Sequence, residues 1–298
     1  MVHMAAKLHY EADLPQVEIA RRLGVSTATV SRLIQRARAE GIVRIEVRDL
    51  AAPEALAAEL RERLGLRAAA VIDAPPGQAL PGLAAPLGAL LLEMNLAPGA
   101  VLAIGWGRAV REIIRAGLPP LPGVLTVAAT GGMQQHAAHF QINEFVRLAA
   151  EQTGGTPHFL HAPYLPGGEL REVFLADPAI AETVALWDRV DVAILGVGLP
   201  HGSNGSDPAA PMPGEDELAG AAGDVIRHYF RADGGVLDWT GERRMIAMST
   251  AQLRGARLAI GVASGTEKAM AIAGAARAGL ISGLVTDATT AEAVLAIA

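Results

Sequence analysis

Four short stretches hold the residue types that bind anions: Gly105-Trp106-Gly107-Arg108, Thr130-Gly131-Gly132, Gly196-Val197-Gly198 and Ser264-Gly265-Thr266-Glu267-Lys268. Each follows a short apolar run, and the first and last also open helical patterns. Glycine lets backbone amides approach an anion, and a helix N-terminus adds partial positive charge. Arg108 and Lys268 supply full charges. Together the four turns point to a pocket for a phosphate or an acidic sugar, with Gly131 and Gly132 on one wall. Two nucleotide motifs are absent. Val110 stands where a third glycine would complete Gly105-x-Gly107, and no G-x-x-x-x-G-K-S/T occurs. His136 and His139 form a close histidine pair without a carboxylate or thiol at ligand spacing, so neither a metal nor a cofactor is expected. Asp191, Asp224, Glu267 and Lys268 have the chemistry of acid/base groups. No nucleophile–base arrangement accompanies them, so binding is expected instead of catalysis. A sugar-phosphate isomerase-like enzyme with an appended DNA-binding domain is the alternative.

The elements that must position these turns are legible as alternation. Residues 101–105, 124–129, 190–198, 257–263 and 281–286 are continuous apolar runs, and helical patterns cover 108–116, 139–152, 267–278 and 289–297. Such alternation predicts a Rossmann-like, mostly parallel α/β sheet covered on both faces, with ligands at the carboxyl ends of its strands. Ahead of it, residues 53–66 read as a helix with an apolar face free to meet a second copy. Residues 68–73 read as a short strand, 75–82 as a Pro/Gly-rich loop and 83–96 as helix.

A second chemistry sits near the start. Between Arg21 and Arg48 there are seven arginines and two acids, Glu40 and Glu46. Val17, Ile19, Ala20 and Leu23 share a helix face, as do Val30, Leu33, Ile34 and Ala37. Gly24 suits the turn between them, and Ser26 the N-cap of the second helix. Pro15 stands where a hydroxyl cap is usual for the first. This spacing predicts a helix-turn-helix. Its second helix presents Ser26, Thr27, Thr29, Ser31, Arg32, Gln35 and Arg36 outward, short polar and cationic groups suited to phosphates and base edges of double-stranded operator DNA. Gly41 ends that helix, and the alternation of IVRIEVR (42–48) predicts the strand of a wing.

Composition agrees with two parts. The chain has 298 residues, is 51% apolar, and carries a formal charge of −6. Residues 1–50 hold eight Lys/Arg against six Asp/Glu, whereas residues 51–298 hold 17 against 25. The expected organisation is a winged helix-turn-helix over 1–50 and an α/β effector-binding and oligomerisation domain over 51–298. The absence of cysteine excludes disulfides and thiol chemistry. No long uncharged apolar span or secretory leader is visible, so the protein is expected in the cytoplasm, away from membranes.

The stretch LPQVEIARRLGVSTATVSRLIQRARAEGIVRIEV resembles the DNA-binding domain of the SorC family of bacterial transcription regulators. IGWGR (104–108), DPAIAETVALWDRVDVAILGVG (177–198), GAAGDVIRHYF (220–230), RRMIAMSTAQLR (243–254) and SGTEKAMAIAGAARAGLISGLVTDATTAEAVL (264–295) resemble later blocks of that family in order. The resemblance implies an effector domain related in fold to sugar-phosphate isomerases, used for sensing, in a homodimer or homotetramer. It also implies that Gly105, Trp106, Gly107, Arg108, Gly265, Thr266, Glu267 and Lys268 line a phosphate end, and that Asp224 binds sugar hydroxyls. Ala109 stands where many members have a hydroxyl, and Ser264-Gly265 replaces a Gly-Gly pair. A sugar phosphate, a sugar or a polyol all remain open as effector.

Overall fold

A computed structural model describes residues 1–43, 53–74, 79–133, 141–199 and 218–298. The chain divides into two compact units, Met1–Leu50 and Ala51–Ala298.

The first unit has three helices: α1 (Val2–Tyr10), α2 (Gln16–Leu23) and α3 (Thr27–Ala39). Ala5, Ile19, Ala20, Val30 and Ile34 form its buried core, with Leu8, Leu14, Leu23, Val25 and Leu33 packed around it. Gly24 takes the left-handed conformation (φ 65°) that ends α2, and the Ser26 hydroxyl accepts from the Thr29 N–H to cap α3. Pro15 caps α2 without a side-chain hydrogen bond. Val17, expected on the apolar face, is 71% exposed instead. α1 was not anticipated; it docks through buried Ala5 and Ala6, and Arg38 Nε on α3 donates to the Tyr10 hydroxyl at 2.7 Å. Alanines carry too weak an amphipathic signal for such a helix to stand out. The expected wing falls largely on residues 44–48, outside the described residues.

The second unit holds strands β1 (Ala68–Ile72), β2 (Val101–Ile104), β3 (Leu125–Ala128), β4 (Thr156–His158) and β5 (Val190–Gly196). It continues with β6 (Gly223–Val225), β7 (His228–Phe230), β8 (Val236–Leu237), β9 (Leu258–Val262) and β10 (Gly283–Asp287). Seven of these form one parallel sheet in the order β1-β10-β9-β5-β2-β3-β4. From β2 the chain runs outward through β3 and β4 on one side, then returns through β5, β9 and β10 on the other. The order therefore reverses between β2 and β5, and a crevice opens at their carboxyl ends. All four residues of β2 and all five of β9 are buried, as a strand covered on both faces requires.

Helices cover the sheet: α4 (Pro53–Leu64), α5 (Ala79–Gly82), α6 (Ala84–Glu93), α7 (Arg108–Ala116), α8 (Ile142–Thr153), α9 (Leu170–Ala176), α10 (Pro178–Ala185), α11 (Thr250–Gly255), α12 (Ala269–Arg277) and α13 (Ala288–Leu295). α7 buries Val110, Ile113 and Ile114 completely, each contributing about 1.5–3 kcal/mol of apolar transfer. Among the described residues no helix is long and apolar enough to cross a membrane.

Three expectations need correction. α4 buries Leu56, Ala57 and Leu60, and its neighbours are β1 and α13, so this face is already covered within the chain and is not free for a second copy. Residues 79–82, expected as loop, form α5. β6, β7 and β8 form a separate antiparallel sheet; strands of two or three residues are too short to show a period in the sequence.

Candidate functional site

The crevice between β2 and β5 is tight because both loops are glycine. Gly105 N–H donates to the Ile194 carbonyl at 2.8 Å, and a β-carbon on Gly196 would lie 2.9 Å from the Trp106 carbonyl. Gly107, at φ 124°, is the N-cap of α7 and supplies no side-chain bond. The first-turn amides of α7 therefore face the crevice beside exposed Arg108.

The loop after β3 works differently from the expectation. Gly131 N–H donates to the Ile246 carbonyl and Gly132 N–H to the Ala162 carbonyl, both at 2.8 Å. Their amides are spent on the chain itself, so these glycines shape the wall without donating to a ligand. A β-carbon on Gly131 would lie 2.6 Å from the Ala162 carbonyl, which explains the residue type.

Asp224 enters from β6. Gly198 and Asp224 exchange backbone hydrogen bonds at 2.8 and 3.2 Å, and a β-carbon on Gly198 would overlap Asp224 Oδ1. Glycine at 198 is what admits the carboxylate, which is buried and accepts from the Arg227 N–H at 2.9 Å. Ile226 and Arg227 both take positive φ, 43° and 69°, to turn the chain from β6 into β7. Such backbone is costly for bulky residues and is found where surrounding structure holds a functional turn.

Arg227 Nη1 donates to the Tyr229 hydroxyl at 3.2 Å, and its guanidinium lies 6.0 Å from the centre of the Trp106 ring. Trp106 in turn meets Tyr164 edge-on at 5.2 Å. Burial pushes the phenol of Tyr164 up, opposed by the Arg227 charge, and burial likewise holds Tyr229 well above the usual tyrosine range. Both stay neutral hydroxyls. Reading the sequence missed Arg227, Tyr164 and Tyr229. Arg227 and Tyr229 lie three and five residues past Asp224, in the GAAGDVIRHYF block. Tyr164 has no local pattern and arrives through the pairing of Gly132 with Pro163.

Lys268 closes the site from the β9 side. Its ammonium donates to the Val197 carbonyl at 2.8 Å. Burial lowers its pKa, the Arg108 charge lowers it further, and Glu267 and Asp224 oppose both. Arg108, Asp224 and the neighbouring Glu267 thus bring charge to Lys268 from three separate places in the chain. Gly265, at φ 121°, has room beside it taken by the Glu267 carboxylate, and its amide donates to Thr290 Oγ1 at 2.8 Å. The helix expected to start here opens as a 3-10 turn, Thr266–Lys268, ahead of α12. Thr266 and Glu267 are exposed.

Asp191 does not belong to this group. It lies at the amino end of β5, accepting from the Val101 N–H at 3.0 Å and pairing with Arg257 at 3.3 Å. Five residues of strand, about 16 Å, separate it from the crevice. His136 and His139 lie outside the described residues.

The lowered pKa of Lys268 has a measurable consequence. The folded chain holds this proton less tightly than the unfolded chain, so stability rises with pH as the ammonium titrates below the ordinary lysine range. Lys268→Met is expected to flatten that rise. Urea midpoints followed against pH check this, and parallel curves for the two chains would contradict it.

In the first unit, Ser26, Thr27, Arg32, Gln35 and Arg36 are exposed on α3, and Thr29 and Ser31 half-buried. Arg36 Nε donates to Glu40 at 2.6 Å, while Arg21 and Arg22 on α2 both pair with Glu18. Hydrogen bonds from those two arginines hold the Glu18 carboxyl below its usual range.

A reading helix joined to a sheet with a polar strand-end pocket defines a ligand-sensing regulator class, and comparison with known proteins agrees. Residues 49–296 match the family model described as "Putative sugar-binding domain", and residues 7–40 match sigma-70 region 4. The sorbitol operon regulator of Klebsiella pneumoniae is 32% identical over 302 residues, 97% of this chain and 96% of that one. The erythritol catabolism regulatory protein of Brucella abortus is 28% identical over 98% of this chain and 95% of its own. The crystal structure of the full-length Klebsiella regulator superposes with a TM-score of 0.74, covering 99% of this chain and 98% of that one. The chain belongs to the SorC family of bacterial transcriptional regulators.

Proposed function

We propose that this protein binds operator DNA through α3 and changes that binding when a sugar, polyol or sugar phosphate occupies the crevice between β2 and β5. The observation that carries the reading is the convergence of Asp224 and Lys268 at that crevice. A buried carboxylate accepts from ligand hydroxyls, while a partly buried ammonium beside Arg108 attracts an anionic group. Relatives named for sorbitol and erythritol support a polyhydroxylated effector. The protein acts in the cytoplasm as a homodimer or homotetramer, because one short reading helix covers too few base pairs for strong specificity. It is not an enzyme in this reading: with Asp191 at the far end of β5, the crevice loses one member of its candidate acid/base set.

The DNA side is tested by salt. Arg32→Ala and Arg36→Ala are expected to weaken operator binding with the fold intact, since both side chains are exposed. Each lost phosphate contact flattens the log–log salt dependence by about 0.9. Fluorescence anisotropy across a salt series measures this. Variants that bind as the parent does at every salt concentration would remove α3 as the reading helix.

A further inference from the structure

The turn that carries Lys268 is held by a chain of hydrogen bonds from the end of β10. That strand closes on Asp287, which is also the N-cap of α13. One of its carboxylate oxygens, Oδ1, accepts from the Thr290 N–H at 2.9 Å and so caps the helix. The other, Oδ2, accepts from the Thr290 hydroxyl at 2.7 Å. That hydroxyl accepts in turn from the Gly265 N–H at 2.8 Å, and the Gly265 carbonyl accepts from the Lys268 N–H at 3.0 Å.

Chemistry fixes the direction of this chain. A carboxylate only accepts, so the hydroxyl proton points at Asp287 and the lone pairs of Thr290 Oγ1 face Gly265. The charge on Asp287 polarises the hydroxyl and strengthens its hold on the amide. Thr290 is fully buried and Asp287 nearly so, which leaves little room for water to take over either bond. The cap of α13 does not use the hydroxyl, because Asp287 Oδ1 serves the helix amide by itself. A side chain at this helix position commonly reaches back to its own N-cap. Thr290 instead serves a segment 25 residues earlier in the chain.

Gly265 needs that outside support. At φ 121° it has wide backbone freedom and no side chain to pin the turn, and the two residues after it, Thr266 and Glu267, are exposed. Lys268 is therefore held at two points. Its N–H is tied through Gly265 and Thr290 to α13, and its ammonium rests on the Val197 carbonyl just past β5. We propose that Thr290, oriented by Asp287, is a positioning residue of the effector site, fixing the Gly265 turn and so seating Lys268 in the crevice. This rests on the reading of the crevice as an effector site, but its test uses neither effector nor DNA, so the two can fail separately.

The chain has two lysines, Lys7 and Lys268. NMR of the full chain with isotope-labelled lysine therefore shows two side-chain signals, and Lys268→Met assigns them. Burial is the main cause that lowers the Lys268 pKa, and Arg108, Glu267 and Asp224 are the charges that act on it. Its titration thus reports how firmly the turn is seated. Thr290→Val keeps the shape of the side chain and leaves the Gly265 N–H without its acceptor. It is expected to move the Lys268 titration up toward the ordinary lysine value, and to speed amide exchange at Gly265 by about fivefold or more. Thr290→Ser keeps the hydroxyl and is expected to titrate as the parent does. Asp287→Asn keeps a good N-cap but turns an N–H donor toward the Thr290 hydroxyl. It is expected to shift Lys268 in the same direction as Thr290→Val, so it reports even where that variant fails to fold. A merely structural Thr290 would lower the urea midpoint and leave the Lys268 titration in place. That result, a Thr290→Ser chain that titrates like Thr290→Val, or a parental titration in Asp287→Asn would each overturn the proposal.

Discussion

Asp224→Ala and Lys268→Ala are each expected to lose tenfold or more in effector affinity, about 1.4 kcal/mol, while operator affinity without effector stays at the parental level. Asp224 is buried where a ligand hydroxyl has no water to fall back on, so an apolar replacement leaves that hydroxyl unpaired. The same carboxylate also accepts from Arg227 N–H. Asp224→Asn separates the two roles, because it keeps an acceptor for that amide and loses the charge. Lys268 acts on charge more than on shape. With a phosphorylated ligand, Lys268→Ala is expected to hurt the phosphate form more than its dephosphorylated analogue, and equal losses would identify a neutral sugar or polyol. Calorimetry on the wild type and the three variants gives these numbers, and unchanged affinity in both alanine variants would move the pocket elsewhere.

Gly198→Ala is expected to damage stability and sensing together. The new methyl would overlap Asp224 Oδ1, and the buried carboxylate moves away only by giving up the hydrogen bond it accepts from Arg227 N–H at 2.9 Å. Overpacking of this kind costs about 1–3 kcal/mol, and each kcal/mol lowers Tm by roughly 2–4 °C in a chain of this size class. Effector affinity is expected to fall as well, since Asp224 is the group displaced. Gly107→Ala is the informative comparison. A β-carbon there meets nothing closer than the Gly196 Cα at 3.9 Å, so its penalty comes from the positive φ alone. Calorimetric melting of both variants tests the contrast, and a Gly198→Ala chain that melts and binds as the parent would contradict the assigned packing.

The parallel sheet was legible because its strands are buried on both faces and so appear as uninterrupted apolar runs, as in VLAI of β2. α7 was legible because its apolar residues keep helical spacing over Arg108–Ala116. α1 and the β6–β8 sheet were not, one because it is buried through Ala5 and Ala6 while Met4 and Tyr10 face solvent, the other for shortness. Within the site, glycine turns and their neighbouring cations announced themselves by type. Their use did not. The amides of Gly131, Gly132 and Gly265 are all taken by groups of the chain, carbonyls in two cases and the Thr290 hydroxyl in the third, and sequence carries no record of which amide is taken. Asp191 and Asp224 are alike as letters, yet one lies at the amino end of β5 and the other beside its carboxyl end. Tyr164 joins the site through a tertiary contact that no local spacing encodes.

The central claim is that occupancy of the crevice by a polyhydroxylated ligand changes operator affinity. A ligand that binds the native state raises its melting temperature, so a panel of sugars, polyols and sugar phosphates first yields the compound to use. Operator affinity is then measured by anisotropy with and without that compound, for the wild type and for Asp224→Ala. Linkage requires that a ligand favouring one state of the regulator shift operator affinity by its own differential affinity. The expected result is a shift of several-fold or more in the wild type that disappears in Asp224→Ala. A ligand that stabilises the wild type and leaves operator affinity unchanged, or a shift of equal size in Asp224→Ala, would contradict the account.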